Sequence, residues 1–208
     1  MSQHNLRTLL HQATPEQWEA GVNWYSNARR QIERLAVETW PSTNHTFDEW
    51  TKYCAAIVAA SSPQMPWVDN VQVARQVIVA LSSESPEKPR KITKNVWARC
   101  NALAGMVAYR YITMKDVSKK SHKVKRFFAN LTGEESWATI DTHAINAWHG
   151  YRVDEKLLKS TFTNAKKRYE IIAEDYEQLA MEYSLTPAQL QAIVWIVWRS
   201  KNVKAQYD

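Results

Sequence analysis

The chain has 208 residues, 45% of them hydrophobic, with four glycines, seven prolines, ten tryptophans and only two cysteines. That hydrophobic share belongs to a globular chain, and so little glycine favours helices over a sheet protein rich in turns. The isolated Cys54 and Cys100 exclude a disulfide framework, a four-cysteine zinc site and an iron–sulfur cluster, while a net charge of +6 points toward an anionic partner.

The first residues, MSQHNLRTLLHQ, lack the apolar core of a signal peptide, and no run approaches transmembrane length. The expectation is a soluble, cytoplasmic protein with no membrane partner. Thr14-Pro15-Glu16-Gln17 reads as a helix start, a threonine cap followed by proline, acid and amide. One amphipathic helix is predicted over 18–39, with Trp24, Ala28, Ile32 and Leu35 on its buried face and Pro41 closing it. Residues 47–60 predict a mostly buried helix ended by Ser61-Ser62-Pro63, residues 66–81 a third helix, and 82–89 a polar linker.

A fourth helical pattern covers 94–111, and a lysine-rich turn leads to another over 124–131, with Gly133 at its C-terminal end. The next helix is predicted over 139–148, a long charged one from Asp154 or Glu155 to residue 183, and a last one over 188–199 behind Thr186-Pro187. No alternating run argues for a sheet, and no internal repeat divides the chain. The predicted class is all-α, residues 1–208 forming one compact unit.

Charge is concentrated in 88–126. Lys88, Arg90, Lys91, Lys94, Arg99, Arg110, Lys115, Lys119, Lys120, Lys123, Lys125 and Arg126 stand there against Asp116 alone. Such a block is a candidate phosphate-facing surface, and DNA the corresponding partner.

Three constellations can carry chemistry. The small-residue run 55–60 and its Ser-Ser-Pro ending deliver Gln64 beside Trp67 and Asn70, which also reads as a core helix followed by a capped turn. In Thr139-Ile140-Asp141-Thr142-His143-Ala144, Asp141 reads either as an ordinary helix cap or as a rigidly held carboxylate facing a cationic sugar. Gln191, Trp195 and Arg199, four apart, share one face of the last helix, as core-facing residues or as the polar wall of a base pocket. His143, two residues past Asp141, reads either as a second catalytic group or, since its helical phase differs from that of Asp141, as a packed or hydrogen-bonded neighbour of the site. His45 and His122 are isolated, and no spacing proposes a metal site.

The Asp-Thr-His segment, followed by Ala147 and Gly150, resembles the Val-Asp-Thr-His segment of helix-hairpin-helix DNA glycosylases of the endonuclease III type. Ser62-Pro63-Gln64 is similar to that family's Leu-Ser-x-Gln motif. The resemblance covers about residues 55–150. It implies a two-lobed helical fold with the site in a cleft between the lobes, Asp141 as catalytic carboxylate, Gln64 inserted into the DNA stack, and no cofactor. It also implies a nucleophilic lysine in the hairpin region before the Asp. Lys123 stands at the implied spacing, with Lys125 as the alternative.

Two features depart from that family. The hairpin stretch 117–123 has no glycine to offer backbone amides to a phosphate, so Lys119 and Lys120 are the candidates for that contact. The iron–sulfur cysteines of many relatives are missing. The Trp24-Tyr25 pair and the Gln191, Trp195, Arg199 helix further resemble phage-encoded glycosylase-like proteins linked to thymine hypermodification, which would place the chain in the host cytoplasm.

Three readings follow. The chain cleaves the N-glycosidic bond of an extruded, modified pyrimidine, or joins an amine to an activated modified thymine, or binds DNA or protein without chemistry. The DNA-binding residues then include Trp67, Asn70, His143, Gln191, Trp195 and Arg199 beside the hairpin lysines. The sequence leaves oligomeric state open.

Overall fold

A computed structural model describes residues 2–41, 45–63, 65–107, 112–163 and 166–202. Those residues form helices and connections, with no strand among them. The all-α class is therefore established. No helix among the described residues is long and apolar enough to cross a membrane. The chain divides into two compact units, Met1–Ser26 with Gly133–Asp208, and Asn27–Thr132.

The first unit joins the two ends of the chain. It holds α1 (Ser2–His11), α2 (Pro15–Val22), α9 (Thr142–His149), α10 (Glu155–Thr163), α11 (Lys166–Glu182) and α12 (Pro187–Asn202). Helix α12 is central, packing on α1, α2, α9 and α11. The core gathers Leu6, Leu9 and Leu10 of α1 with Ile145, Ile172, Tyr176, Leu179, Ile193 and Val194.

Local chemistry explains the starts and stops. Thr14 accepts from the Gln17 backbone N–H at 3.2 Å while the Gln17 side chain accepts from Thr14 N–H at 3.1 Å, a reciprocal cap completed by Pro15. Helix α2 lies so close to α12 that a Cβ on Gly21 would meet the Ile193 Cα at 2.6 Å. Gly150, with φ of +78°, ends α9 in the left-handed conformation.

The second unit holds α3 (Trp24–Glu38) from Asn27 onward, α4 (Phe47–Ser61), α5 (Trp67–Leu81), α6 (Lys94–Val107), α7 (Met114–Val117) and α8 (His122–Leu131). Helix α4 is its axis, buried without interruption from Tyr53 to Ser61 and packed on α5, α6, α7 and α8. Cys54 and Cys100 lie in this core, where burial pushes both thiols up to about 12, so they stay protonated and serve as small apolar residues.

Two expectations need correction, the helix over 18–39 and the lysine-rich turn. The helix predicted over 18–39 is two helices: Asn23 caps α2, its backbone N–H and its side-chain amide both turned to the Glu19 carbonyl. The buried stripe accordingly begins at Tyr25, with Trp24 only half-buried. The N-terminal residues form α1, whose Leu6, Leu9 and Leu10 repeat at helical spacing. The lysine-rich turn contains the short α7. Helices α10 and α11 lie within the stretch predicted as one long charged helix, and residues 164–165 between them fall outside the described residues, as do 108–111 beyond α6.

Candidate functional site

Asp141 is delivered to the start of α9 by Ala138, Thr139 and Ile140, all buried. The Ile140 N–H donates to Tyr169 Oη at 3.2 Å, which ties the segment leading into α9 to α11. Asp141 itself has extended backbone, φ −106° and ψ −174°, and its Oδ1 accepts the Ala144 N–H at 2.8 Å. The carboxylate thus caps the N-terminal end of α9 and satisfies one of its free backbone N–H groups. Its Oδ2 meets no donor among the described residues, and the side chain is partly exposed. One oxygen anchors the group and the other remains available.

Beneath the anchor lies Tyr176, fully buried on α11, whose Oη donates to the Ala144 carbonyl at 3.0 Å. Burial raises its phenol well above the usual range, and the Asp141 charge raises it further. Tyr176 is thus a neutral donor that locks the first turn of α9.

Helix α12 packs on α9 and brings an aromatic group alongside. His143 and Trp24 each meet the Trp195 ring edge-to-face at 6.3 Å, and the Arg199 guanidinium carbon lies 4.5 Å from the Trp195 centroid. Gln191 is buried, and its Oε1 accepts from Tyr25 Oη at 3.2 Å. Of the predicted site residues, the first unit therefore carries Asp141 with His143, Trp195, Arg199 and Gln191, the last facing inward.

The others belong to the second unit. Gln64 and Arg110 lie outside the described residues. The backbone preceding Gln64 is well anchored: the Asn70 Nδ2 donates to the Val58 carbonyl at 3.0 Å, Ser61 Oγ lies 2.8 Å from Asn70 Oδ1, and Ser62 Oγ donates to the Ala59 carbonyl at 2.9 Å. The carbonyls of Val58 and Ala59 in the last turn of α4 are thereby satisfied. Asn70 is 1% exposed, and both ends of its amide are engaged in this junction. Trp67 Nε1 donates to Gln31 Oε1 at 3.0 Å, and its ring meets Phe127 edge-to-face.

The basic stretch is not one uniform surface. Lys88 donates to the carbonyls of Pro89 and Ile92, Arg99 reaches the Ala60 carbonyl at 3.5 Å, and Arg126 is buried. Arg90, Lys91, Lys94, Lys115, Lys119 and Lys120 are exposed. The turn between α7 and α8 is built by serines: Ser118 Oγ accepts the Ser121 N–H at 3.0 Å, and Ser121 Oγ accepts that of Val124 at 3.3 Å. Lys125 Nζ donates to the Lys119 carbonyl at 3.3 Å. Among the described residues only Gly133, Gly150 and Ser184 have positive φ, so this turn holds no left-handed residue and needs no glycine. Lys123 is partly exposed in the first turn of α8, where the helix dipole disfavours a cation. Helix stability alone does not account for a lysine there.

No group of three or more potential metal ligands gathers among the described residues. Sequence reasoning missed Tyr169 and Tyr176. Their spacing with Ile172, Ala173 and Leu179 marked a buried stripe, but not the element that it touches.

This is an all-helical chain with an anchored, half-open carboxylate at a helix start and an aromatic–guanidinium group on the packed helix. It belongs to the family of unknown function DUF7178, whose model matches residues 1–202. No curated protein and no solved structure matched the chain in comparison.

Proposed function

We propose that the protein acts on a base in DNA, with Asp141 as the catalytic carboxylate of a glycosylase-like reaction and the turn 118–121 as a degenerate helix-hairpin-helix. The observation that carries this reading is the state of Asp141: one oxygen held by the Ala144 N–H, the other without a donor among the described residues, on a partly exposed side chain. The resemblance of its Asp-Thr-His segment to the Val-Asp-Thr-His segment of the glycosylases supports a role beyond capping.

In this reading an extruded pyrimidine nucleotide brings its sugar to the carboxylate. The C1′–N bond breaks, and the base departs with the electron pair and takes up a proton. Asp141 stabilises the positive sugar and accepts a proton from the water whose oxygen bonds to C1′. In the lyase form, the amine of Lys123 replaces water as the nucleophile and forms a Schiff base with the opened sugar. Lys119 and Lys120 supply phosphate contacts in place of glycine amides.

Incubation with oligonucleotides containing different modified pyrimidines tests the reading. Base release supports it. A mass gain in the presence of an amine donor assigns transfer onto a modified thymine instead, and binding without either product removes the enzymatic reading. Borohydride trapping lost in Lys123→Ala and kept in Lys125→Ala assigns the lyase form.

A further inference from the structure

Helix α12 carries a cation without a counter-ion. The Nε of Arg199 is buried with no acceptor, and its terminal nitrogens have no hydrogen-bond or ion-pair partner among the described residues. The helix C-terminus favours positive charge at this point, which accounts for the charge but not for its dehydration. Stacking on Trp195, 4.5 Å from the ring centroid, holds the guanidinium plane and gives it no hydrogen bond. A cation that has already lost part of its hydration gains more from an anion than a fully solvated one does.

The surroundings narrow the class of anion. Trp24 and His143 each pack edge-to-face on the same indole that carries the cation. Gln191 is occupied by Tyr25 and does not compete. A phosphate offers the paired oxygens that a guanidinium fork binds, and an attached base offers a ring for the aromatic edges. We infer that Arg199, poised on Trp195, is a phosphate-binding site for a nucleotide. The inference deepens the reading above and rests on it for placing that nucleotide in DNA.

The phosphate is either a free monoester or a strand diester, and titration of ¹⁵N-arginine-labelled protein separates the two. The Arg199 Nε–H resonance, assigned by its loss in Arg199→Lys, is followed against dTMP, thymidine, acetate and a short thymidine oligomer without terminal phosphate. A saturable shift with dTMP alone assigns a monoester, and one with the oligomer assigns the strand. Binding weakens about tenfold or more in Arg199→Gln at unchanged melting temperature, with Arg199→Lys as the charge-conserving control. Equal shifts with thymidine or acetate, no shift with either phosphate probe, or undiminished binding by Arg199→Gln overturns the inference. Base release without an Arg199 response overturns the inference and leaves the reading above standing. An Arg199-dependent phosphate site in a protein that releases no base does the reverse.

Discussion

Asp141 and Tyr176 hold the same residue from opposite ends: Asp141 Oδ1 takes the Ala144 N–H at 2.8 Å, and Tyr176 Oη donates to the Ala144 carbonyl at 3.0 Å. The cap therefore rests on a buried phenol of another helix, which limits the directions the carboxylate can face. Tyr176→Phe removes one buried hydrogen bond and is expected to lower stability by about 1 kcal/mol. Denaturant unfolding measures it, and an unchanged midpoint would show that the phenol does not hold α9.

Two glycines respond oppositely to the same change. Gly21→Ala drives a Cβ into the Ile193 backbone, with contacts of 2.6 Å and 2.8 Å to Cα and N, which no side-chain rotation relieves. A loss of about 1–3 kcal/mol is expected from such overpacking. At Gly105, in α6, a Cβ meets nothing within 4 Å, and Ala is expected to stabilise by about 0.5–1 kcal/mol. Thermal unfolding of the two variants checks both signs.

Much of this fold was legible because helix boundaries are written in local chemistry. Thr14-Pro15, Thr186-Pro187 and Gly133 act within a turn of their own position, and all stand where sequence reading put them. The break at Asn23 was not legible. The 18–39 pattern is continuous, and the chain turns there to fit α2 against α12, a contact between residues some 170 positions apart in sequence. The same holds for the site. Asp141 announced itself through its motif, whereas Tyr176 and the inward turn of Gln191 depend on which helices pack together.

His149 supplies a pH dependence. Its Nε2 is buried without a partner among the described residues, and burial first, then Arg168, lowers its pKa below the usual value. The folded state thus binds this proton less readily than the unfolded chain. The associated stability is complete above the ordinary histidine value of about 6.5 and is lost as pH falls through the folded value. The melting temperature of the wild type is expected to drop more between pH 7.5 and pH 5.5 than that of His149→Phe. Parallel curves would rule the effect out.

The salt dependence of DNA binding tests the hairpin lysines. If Lys119 and Lys120 each contact a phosphate, changing both to Ala is expected to flatten the slope of log K against log salt by about 0.9–1.8 on duplex. Lys88 and Arg99 are turned to backbone carbonyls and serve as controls with little effect on the slope. An unaltered slope in the double variant would mean that the hairpin does not follow the strand.

The role of Asp141 is tested most directly by Asp141→Asn, assayed for base release on oligonucleotides carrying modified pyrimidines and for thermal stability in parallel. Asparagine caps a helix about as well as aspartate does, so the fold is expected to survive with little change in melting temperature. The account predicts that base release is abolished while DNA affinity stays the same or rises, since one charge that repels phosphate has gone. Base release at the wild-type rate in Asp141→Asn would contradict it and reduce Asp141 to the cap of α9.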